Sequence, residues 1–127
     1  MTEVSDAPRL EDGVSPPSYH FPELDLAAVQ IADWRRRKMF TAPAGFRGED
    51  NALRIAAKAM LVVGELSEAI EAVREQNFAE FEVEMADALI RLLDLAAATG
   101  CSLSTAVSDK MAVNETRPAR HGKAVAL

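Results

Sequence analysis

Aromatic residues are scarce in this chain: they make up 6% of its 127 residues, whereas hydrophobic residues as a whole make up 49%. The core must therefore consist mainly of Ala, Leu, Val, Ile and Met. Ala and Leu lead the ranking of helix propensity, and long runs of β-branched residues, which favour strands, are missing. A chain of this length suits one domain with an ordinary core. The composition therefore predicts an all-α protein.

Cysteine, basic clusters and long apolar runs are also lacking. The single cysteine, Cys101, cannot form an internal disulfide, which favours a reducing, cytoplasmic environment. Residues 1–18 do not resemble a signal peptide, and no apolar stretch approaches the roughly 20 residues that span a bilayer, so we expect no membrane partner. The formal net charge of −6 argues against a nucleic-acid partner. An acidic protein that handles phosphates would need metal ions.

The chain divides into three regions by composition. Residues 1–22 are rich in Pro, Ser, Asp and Glu and predict a flexible N-terminal arm. Residues 23–117 form the predicted helical domain, and residues 118–127, interrupted by Pro118 and Gly122, form a C-terminal tail. Apolar periodicity and helix breakers predict four helices in the domain. Their expected limits are residues 23–39, 50–76, 80–99, and from Ser102 or Ser104 to 115.

The second and third predicted helices are apolar on most of their sides. Such helices must be buried on several sides, and in so short a chain a second subunit would supply that burial. We therefore expect a homodimer or homotetramer. The short break at Asn77 predicts that the two helices form an antiparallel hairpin.

A stripe of carboxylates interrupts these apolar helices. Glu65 and Glu68 share one face of the second helix, and Glu84 and Asp87 share one face of the third. Folding the hairpin at its break brings Glu68 level with Asp87. The same register brings Glu65 level with Arg91. The spacing therefore predicts that four carboxylates converge between the two helices.

Converging carboxylates repel one another unless a cation lies between them. Mg²⁺ prefers about six oxygen ligands and keeps some positions for water or phosphate, and Mn²⁺ would be a substitute. Soft-metal and di-iron sites are disfavoured, because the chain has one cysteine and no Glu-x-x-His pair. The competing interpretation is a set of exposed salt-bridge residues. We favour the metal site because unpaired buried charge is costly.

Two motifs resemble a known family. Residues 64–72 (GELSEAIEA) and 84–91 (EMADALIR) resemble the E-x-x-E and E-x-x-D signature of the MazG-like all-α nucleoside triphosphate pyrophosphohydrolases. Residues 110–118 (KMAVNETRP) are similar to the K-M-x-x-N-x-x-R-P segment of that family, and residues 120–123 (RHGK) to an H-G-K tail in one subgroup. The resemblance covers about residues 24–123. It implies a four-helix MazG-like bundle with an antiparallel central helix hairpin, completed by oligomerisation.

The resemblance also implies an activity and a set of site residues. The reaction would convert an NTP or dNTP and water to the NMP and pyrophosphate, a house-cleaning activity on the nucleotide pool. Glu65, Glu68, Glu84 and Asp87 would be Mg²⁺ ligands, and Glu65 or Glu68 would position or deprotonate the attacking water. The implied substrate contacts are Lys110, Asn114, Arg117, His121 and Lys123.

Several residues keep alternative interpretations. Arg91 lies where several relatives carry an aromatic residue, so it is either a phosphate contact or the partner of Asp94 in a salt bridge. Trp34, Phe40 and Phe46 are candidates for a base pocket, although large aromatic residues more often belong to a core.

The rival hypothesis for the whole chain is a helical oligomerisation or regulatory module of the same fold without catalysis. Pyrophosphate release from a panel of nucleotides with Mg²⁺ would distinguish this module from an enzyme.

Overall fold

The computed structural model describes residues 18–118. In this range the chain forms four α-helices and no strand, which confirms the all-α prediction for the described part. The predicted arm and tail lie mostly outside the described residues, as do His121 and Lys123. The helices are α1 (Pro22–Arg37), α2 (Glu49–Arg74), α3 (Phe78–Thr99) and α4 (Leu103–Glu115).

Both ends of α3 are fixed by residues that suit helix termini. The Asn77 side chain accepts a hydrogen bond from the Glu80 N–H at 3.0 Å, so the helix begins at Phe78, two residues earlier than predicted. At the other end Gly100 adopts a left-handed conformation with φ of 81°, as expected for a glycine that terminates a helix. The hairpin turn between α2 and α3 is therefore only residues 75–77.

The loop before α2 is held by Asn51. Glu49 and Asp50 lie in the first turn, where negative charge is favourable, but Gly48 precedes the helix without a side-chain cap. The Asn51 side chain, in the first turn of α2, donates to the carbonyl oxygens of Ala44 and Arg47 and accepts from the Ala44 N–H. Its amide thus binds the loop back onto the helix.

The described chain forms two compact units, residues 22–103 and residues 18–21 with 104–118. In the larger unit α3 packs against both α1 and α2, and α2 and α3 form the hairpin. At one end of the α1–α3 contact Arg35 pairs with Asp94, and at the other the Ser102 hydroxyl donates to Asp25. Small side chains line these contacts and let the helices approach closely. The buried apolar residues are Ala28, Ala32, Ala69, Ala72, Ala88, Leu93 and Ala96.

The smaller unit is held by hydroxyl groups. The Tyr19 hydroxyl donates to a Glu115 carboxylate oxygen at 2.6 Å, and this hydrogen bond is the main reason that the pKa of Tyr19 is raised. The Ser108 hydroxyl donates to the Tyr19 carbonyl oxygen at 2.6 Å, and the Ser104 hydroxyl donates to that of Phe21. Residues 18–21 are therefore fastened along α4.

Large apolar side chains remain exposed on α2 and α3, so the prediction that these helices are apolar on most sides holds in the structure. No single helix within residues 18–118 is long and apolar enough to span a bilayer; α3 and α4 meet that test only as a bent pair, by length and composition. The exposed apolar residues of the hairpin include Val63, Leu66, Ile70 and Val73 on α2, and Val83, Met85, Leu89 and Leu92 on α3.

The Asn77 cap gives a direct test of the hairpin. Replacing Asn77 with Ala removes the acceptor for the Glu80 N–H, and we expect the free energy of unfolding to fall by about 1 kcal/mol. Urea denaturation followed by circular dichroism measures it. Asn77→Asp keeps the acceptor and should retain most of the stability; an unchanged midpoint for Asn77→Ala would contradict the role of the cap.

Candidate metal centre

Three of the four predicted carboxylates converge. Glu65 on α2 and Glu84 and Asp87 on α3 each offer one oxygen, and these oxygens all lie within 4.8 Å of one another. The spacing of three residues between Glu84 and Asp87 places both on one face of α3. Glu65 is half-buried and Glu84 is buried, with 7% of its surface exposed. We call Glu65, Glu84 and Asp87 the carboxylate cluster.

Glu68 lies at the edge of this cluster. It is exposed, it lies one turn along α2 from Glu65, and it does not belong to the group of three. Its negative charge is nevertheless near enough to contribute to the raised pKa of Glu84. The structure therefore places Glu68 beside the cluster, where the sequence predicted a fourth member of it.

Glu84 has a strongly raised pKa. A hydrogen bond with Glu80, burial, a hydrogen bond with Glu65 and the charges of Glu68 and Glu80 together raise the pKa of Glu84 from 4.5 to about 8. At neutral pH Glu84 is therefore protonated, and its O–H can donate a hydrogen bond to a neighbouring carboxylate. Glu80 was missed as a site residue; its position one turn before Glu84 on α3 was the available signal.

Arg91 neutralises part of the cluster. Its Nε donates to Glu65 Oε2 at 2.7 Å, and this hydrogen bond is the main cause that lowers the pKa of Glu65, against the effect of burial. The contact confirms the predicted register of Glu65 and Arg91. The alternative pairing of Arg91 with Asp94 is wrong: both Asp94 oxygens accept from Arg35 Nε, at 2.9 and 3.1 Å.

The donor set of the carboxylate cluster fits a hard divalent cation. Mg²⁺ binds oxygen at about 2.1 Å, so ligands on opposite sides of the ion lie about 4.2 Å apart. The three oxygens are within 4.8 Å of one another, so a small movement of the side chains would bring them into range. Glu84 must first lose its proton. Three carboxylates would leave other coordination positions for water or phosphate oxygens.

The predicted substrate residues on α4 lie in the smaller unit. Lys110 and Asn114 are exposed and one turn apart on α4, and the Arg117 N–H donates to the Asn114 carbonyl oxygen at 3.1 Å. Their contact with phosphate stays a prediction, as does that of His121 and Lys123.

The aromatic residues proposed for a base pocket separate into two groups. Trp34 and Phe40 form an edge-to-face pair with ring centroids 5.6 Å apart. Phe46 is 70% exposed. Phe40 also lines a cavity in the larger unit, together with Lys58 and Arg91.

Comparisons with protein-family models, curated proteins and solved structures found no match for this chain. The resemblance to MazG-like enzymes therefore stays a prediction from the two motifs.

The raised pKa of Glu84 predicts a pH dependence of stability. The folded state holds this proton up to about pH 8, whereas the unfolded chain releases it near pH 4.5. The free energy of unfolding of the metal-free protein should therefore fall as the pH rises from about 4.5 to 8. Glu65 affects stability at lower pH. Because its pKa is lowered in the folded state, it contributes stability that is lost as the pH falls below about 4.5.

Denaturation of wild type and Glu84→Gln in a chelator, at pH 5, 6.5 and 8, isolates the contribution of Glu84. The loss of stability between pH 5 and 8 should be smaller in Glu84→Gln. Glu82→Gln removes an exposed carboxylate from the same helix and should behave like wild type. Equal slopes for all three proteins would show that Glu84 is not protonated in the fold.

Proposed function

We propose that this chain is a Mg²⁺-dependent nucleoside triphosphate pyrophosphohydrolase with a MazG-like fold. The observation that supports the proposal best is the convergence of Glu65, Glu84 and Asp87, three of the four positions of the E-x-x-E and E-x-x-D motifs. Exposed helical carboxylates occur without a metal, but a buried carboxyl such as Glu84 among other acids is costly, and a divalent cation would remove that cost.

The cluster would hold the ion and orient the phosphates. When bound, Mg²⁺ supplies a Lewis acid that stabilises the charge developing on the phosphate oxygens. The oxygen of a water molecule attacks the α-phosphorus, the bond from this phosphorus to the α–β bridging oxygen breaks, and pyrophosphate leaves with the electron pair. A carboxylate accepts the proton of the water.

We assign the proton acceptor to Glu68. The Arg91 guanidinium donates to Glu65, which also belongs to the carboxylate cluster, whereas Glu68 is exposed at the edge of the cluster. A base at that position could reach a water that approaches from solvent. Lys110, Asn114 and Arg117, with His121 and Lys123, are proposed to contact the phosphates, and the enzyme is proposed to work in the cytoplasm.

Replacing Asp87 tests the cluster. Asp87→Asn keeps the size of the side chain but removes the charge that an ion would need, so pyrophosphate release from a panel of NTPs and dNTPs should fall by at least about 100-fold. Circular dichroism should show that the helices survive.

The matched control is again Glu82→Gln, which removes a carboxylate from α3 outside the cluster and should keep wild-type turnover. Full Mg²⁺-dependent turnover by Asp87→Asn would show that the cluster is not the catalytic site. No release from any nucleotide by the wild type, and no thermal shift with Mg²⁺, would favour the non-catalytic module instead.

The second part of the proposal is that copies of the chain associate through the hairpin. The supporting observation is the exposed stripe of Val63, Leu66, Ile70 and Val73 on α2. Within residues 18–118 the core, by contrast, has a single large buried apolar residue, Leu93. Contiguous apolar surface of this kind marks interaction sites in soluble proteins. A second copy is the occupant that a two-fold axis along the hairpin would allow.

A charge placed in this stripe should oppose association. Ile70→Asp would force a carboxylate into the proposed interface, so light scattering should give a mass nearer the 13.8 kDa of a single chain than the wild type does. Glu75→Ala changes the charge at the C-terminal cap of α2, outside the stripe, and should leave the mass unchanged. A monomeric wild type would contradict the proposal.

A further inference from the structure

A cavity of about 290 Å³ lies within residues 22–103, and its charged lining is mostly cationic. Arg35, Lys58 and Arg91 line it, and Asp94 is the single acid. Phe40 and Pro43 contribute an apolar wall. In a chain with a formal net charge of −6, three cations around one cavity are an unusual local concentration of positive charge. We call this the cationic pocket.

The hydrogen-bond donors of the cationic pocket exceed its acceptors. Both Asp94 oxygens accept from Arg35 Nε, so the charge of this acid is paired with Arg35. Arg91 engages Glu65 through Nε, which leaves the terminal N–H groups of its guanidinium for other acceptors.

Lys58 adds to the excess of hydrogen-bond donors in the cationic pocket. Within residues 18–118 no side chain forms an ion pair or hydrogen bond with its ammonium group, although the residue is half-buried. A half-buried ammonium gains most from an anionic partner. The pocket therefore has the chemistry of an oxyanion site.

The cationic pocket adjoins the carboxylate cluster. Lys58 lies two turns before Glu65 on α2, and Asp94 lies two turns after Asp87 on α3, a distance of about 10 Å along either helix. Arg91 belongs to both places, because it lines the pocket and contacts Glu65. A ligand that starts at the cluster could extend into the pocket without leaving the hairpin.

We propose that the cationic pocket binds the leaving pyrophosphate group of the substrate, the β- and γ-phosphates, while the α-phosphate lies at the carboxylate cluster. This inference rests on the proposed function. Arginine forks match phosphate oxygens in pairs, and lysine binds them as a point charge. A nucleobase against Phe40 is the competing occupant. Three of the pocket's charged side chains are donors, and donors suit phosphate oxygens better than the amino groups of a base.

The chain carries its own reporter for this pocket. Trp34 is its only tryptophan, and it contacts Phe40. Trp34 fluorescence, with calorimetry as a second measure, can follow titration with pyrophosphate at constant Mg²⁺. Lys58→Ala should weaken pyrophosphate binding about tenfold, the effect of losing one charge-assisted hydrogen bond. Binding of nucleoside monophosphates should stay unchanged. Lys58→Arg should recover most of the affinity, which also guards against a folding defect.

Arg54→Ala is the matched control, because it removes one positive charge from an exposed residue one turn earlier on α2. It should leave pyrophosphate affinity unchanged. Equal weakening by Arg54→Ala and Lys58→Ala would overturn the proposal, since general charge would then explain binding. Weaker binding of monophosphates in Lys58→Ala, with pyrophosphate unaffected, would also overturn it and assign the pocket to the nucleoside.

The proposed function and the pocket can fail separately. If the wild type hydrolyses nucleotides but Lys58→Ala binds pyrophosphate normally, the pocket assignment is wrong and the enzymatic function stands. If pyrophosphate binds in a Lys58-dependent way but no nucleotide is hydrolysed, the pocket stands as an oxyanion site and the enzymatic function is wrong.

Discussion

The contact between Arg91 and Glu65 is the interaction on which the centre of the hairpin depends. Glu65 and Glu84 face each other across α2 and α3, and two adjacent negative charges would push the helices apart. The Arg91 guanidinium stabilises the ionised form of Glu65, and a proton retained by Glu84 removes the second charge. The helices can therefore pack closely while acids remain between them.

The close packing of the helices also brings the carboxylates of the cluster together. Most of the buried apolar residues of the larger unit are alanines, including Ala69 and Ala88, and small residues let α3 lie close to its neighbours. Close packing brings short carboxylate side chains from two helices within a few ångströms of each other. Larger residues at these contacts would separate the helices and the carboxylates with them. The same small buried side chains thus account for both the small core and the close approach of the carboxylates. The larger apolar residues of α2 lie instead on its exposed stripe.

Much of the fold could be predicted from the sequence because its signals are local. Apolar periodicity and breakers such as Gly100 indicated the four helices, and the length of the break near Asn77 indicated the hairpin and its register. The pairing of Arg35 with Asp94 could not be predicted, because it depends on how α1 packs against α3. The proton on Glu84 could not be predicted either, because it depends on burial and on Glu80. The spacing of charges indicated only that the converging carboxylates need a counter-charge.

The hydrogen bonds between Asn51 and the loop after α1 have a consequence for ligand binding. The Asn51 side chain makes three hydrogen bonds with Ala44 and Arg47, two as donor and one as acceptor. The Gly45 N–H donates to the Ala98 carbonyl oxygen at 2.9 Å. Pro43, one residue before Ala44, lines the cavity beside Ala98. This wall is thus ordered before any ligand arrives, and little conformational entropy is lost on binding. The choice of ligand at this wall would depend on the ligand's shape, because an ordered surface does not change its conformation to fit a different molecule.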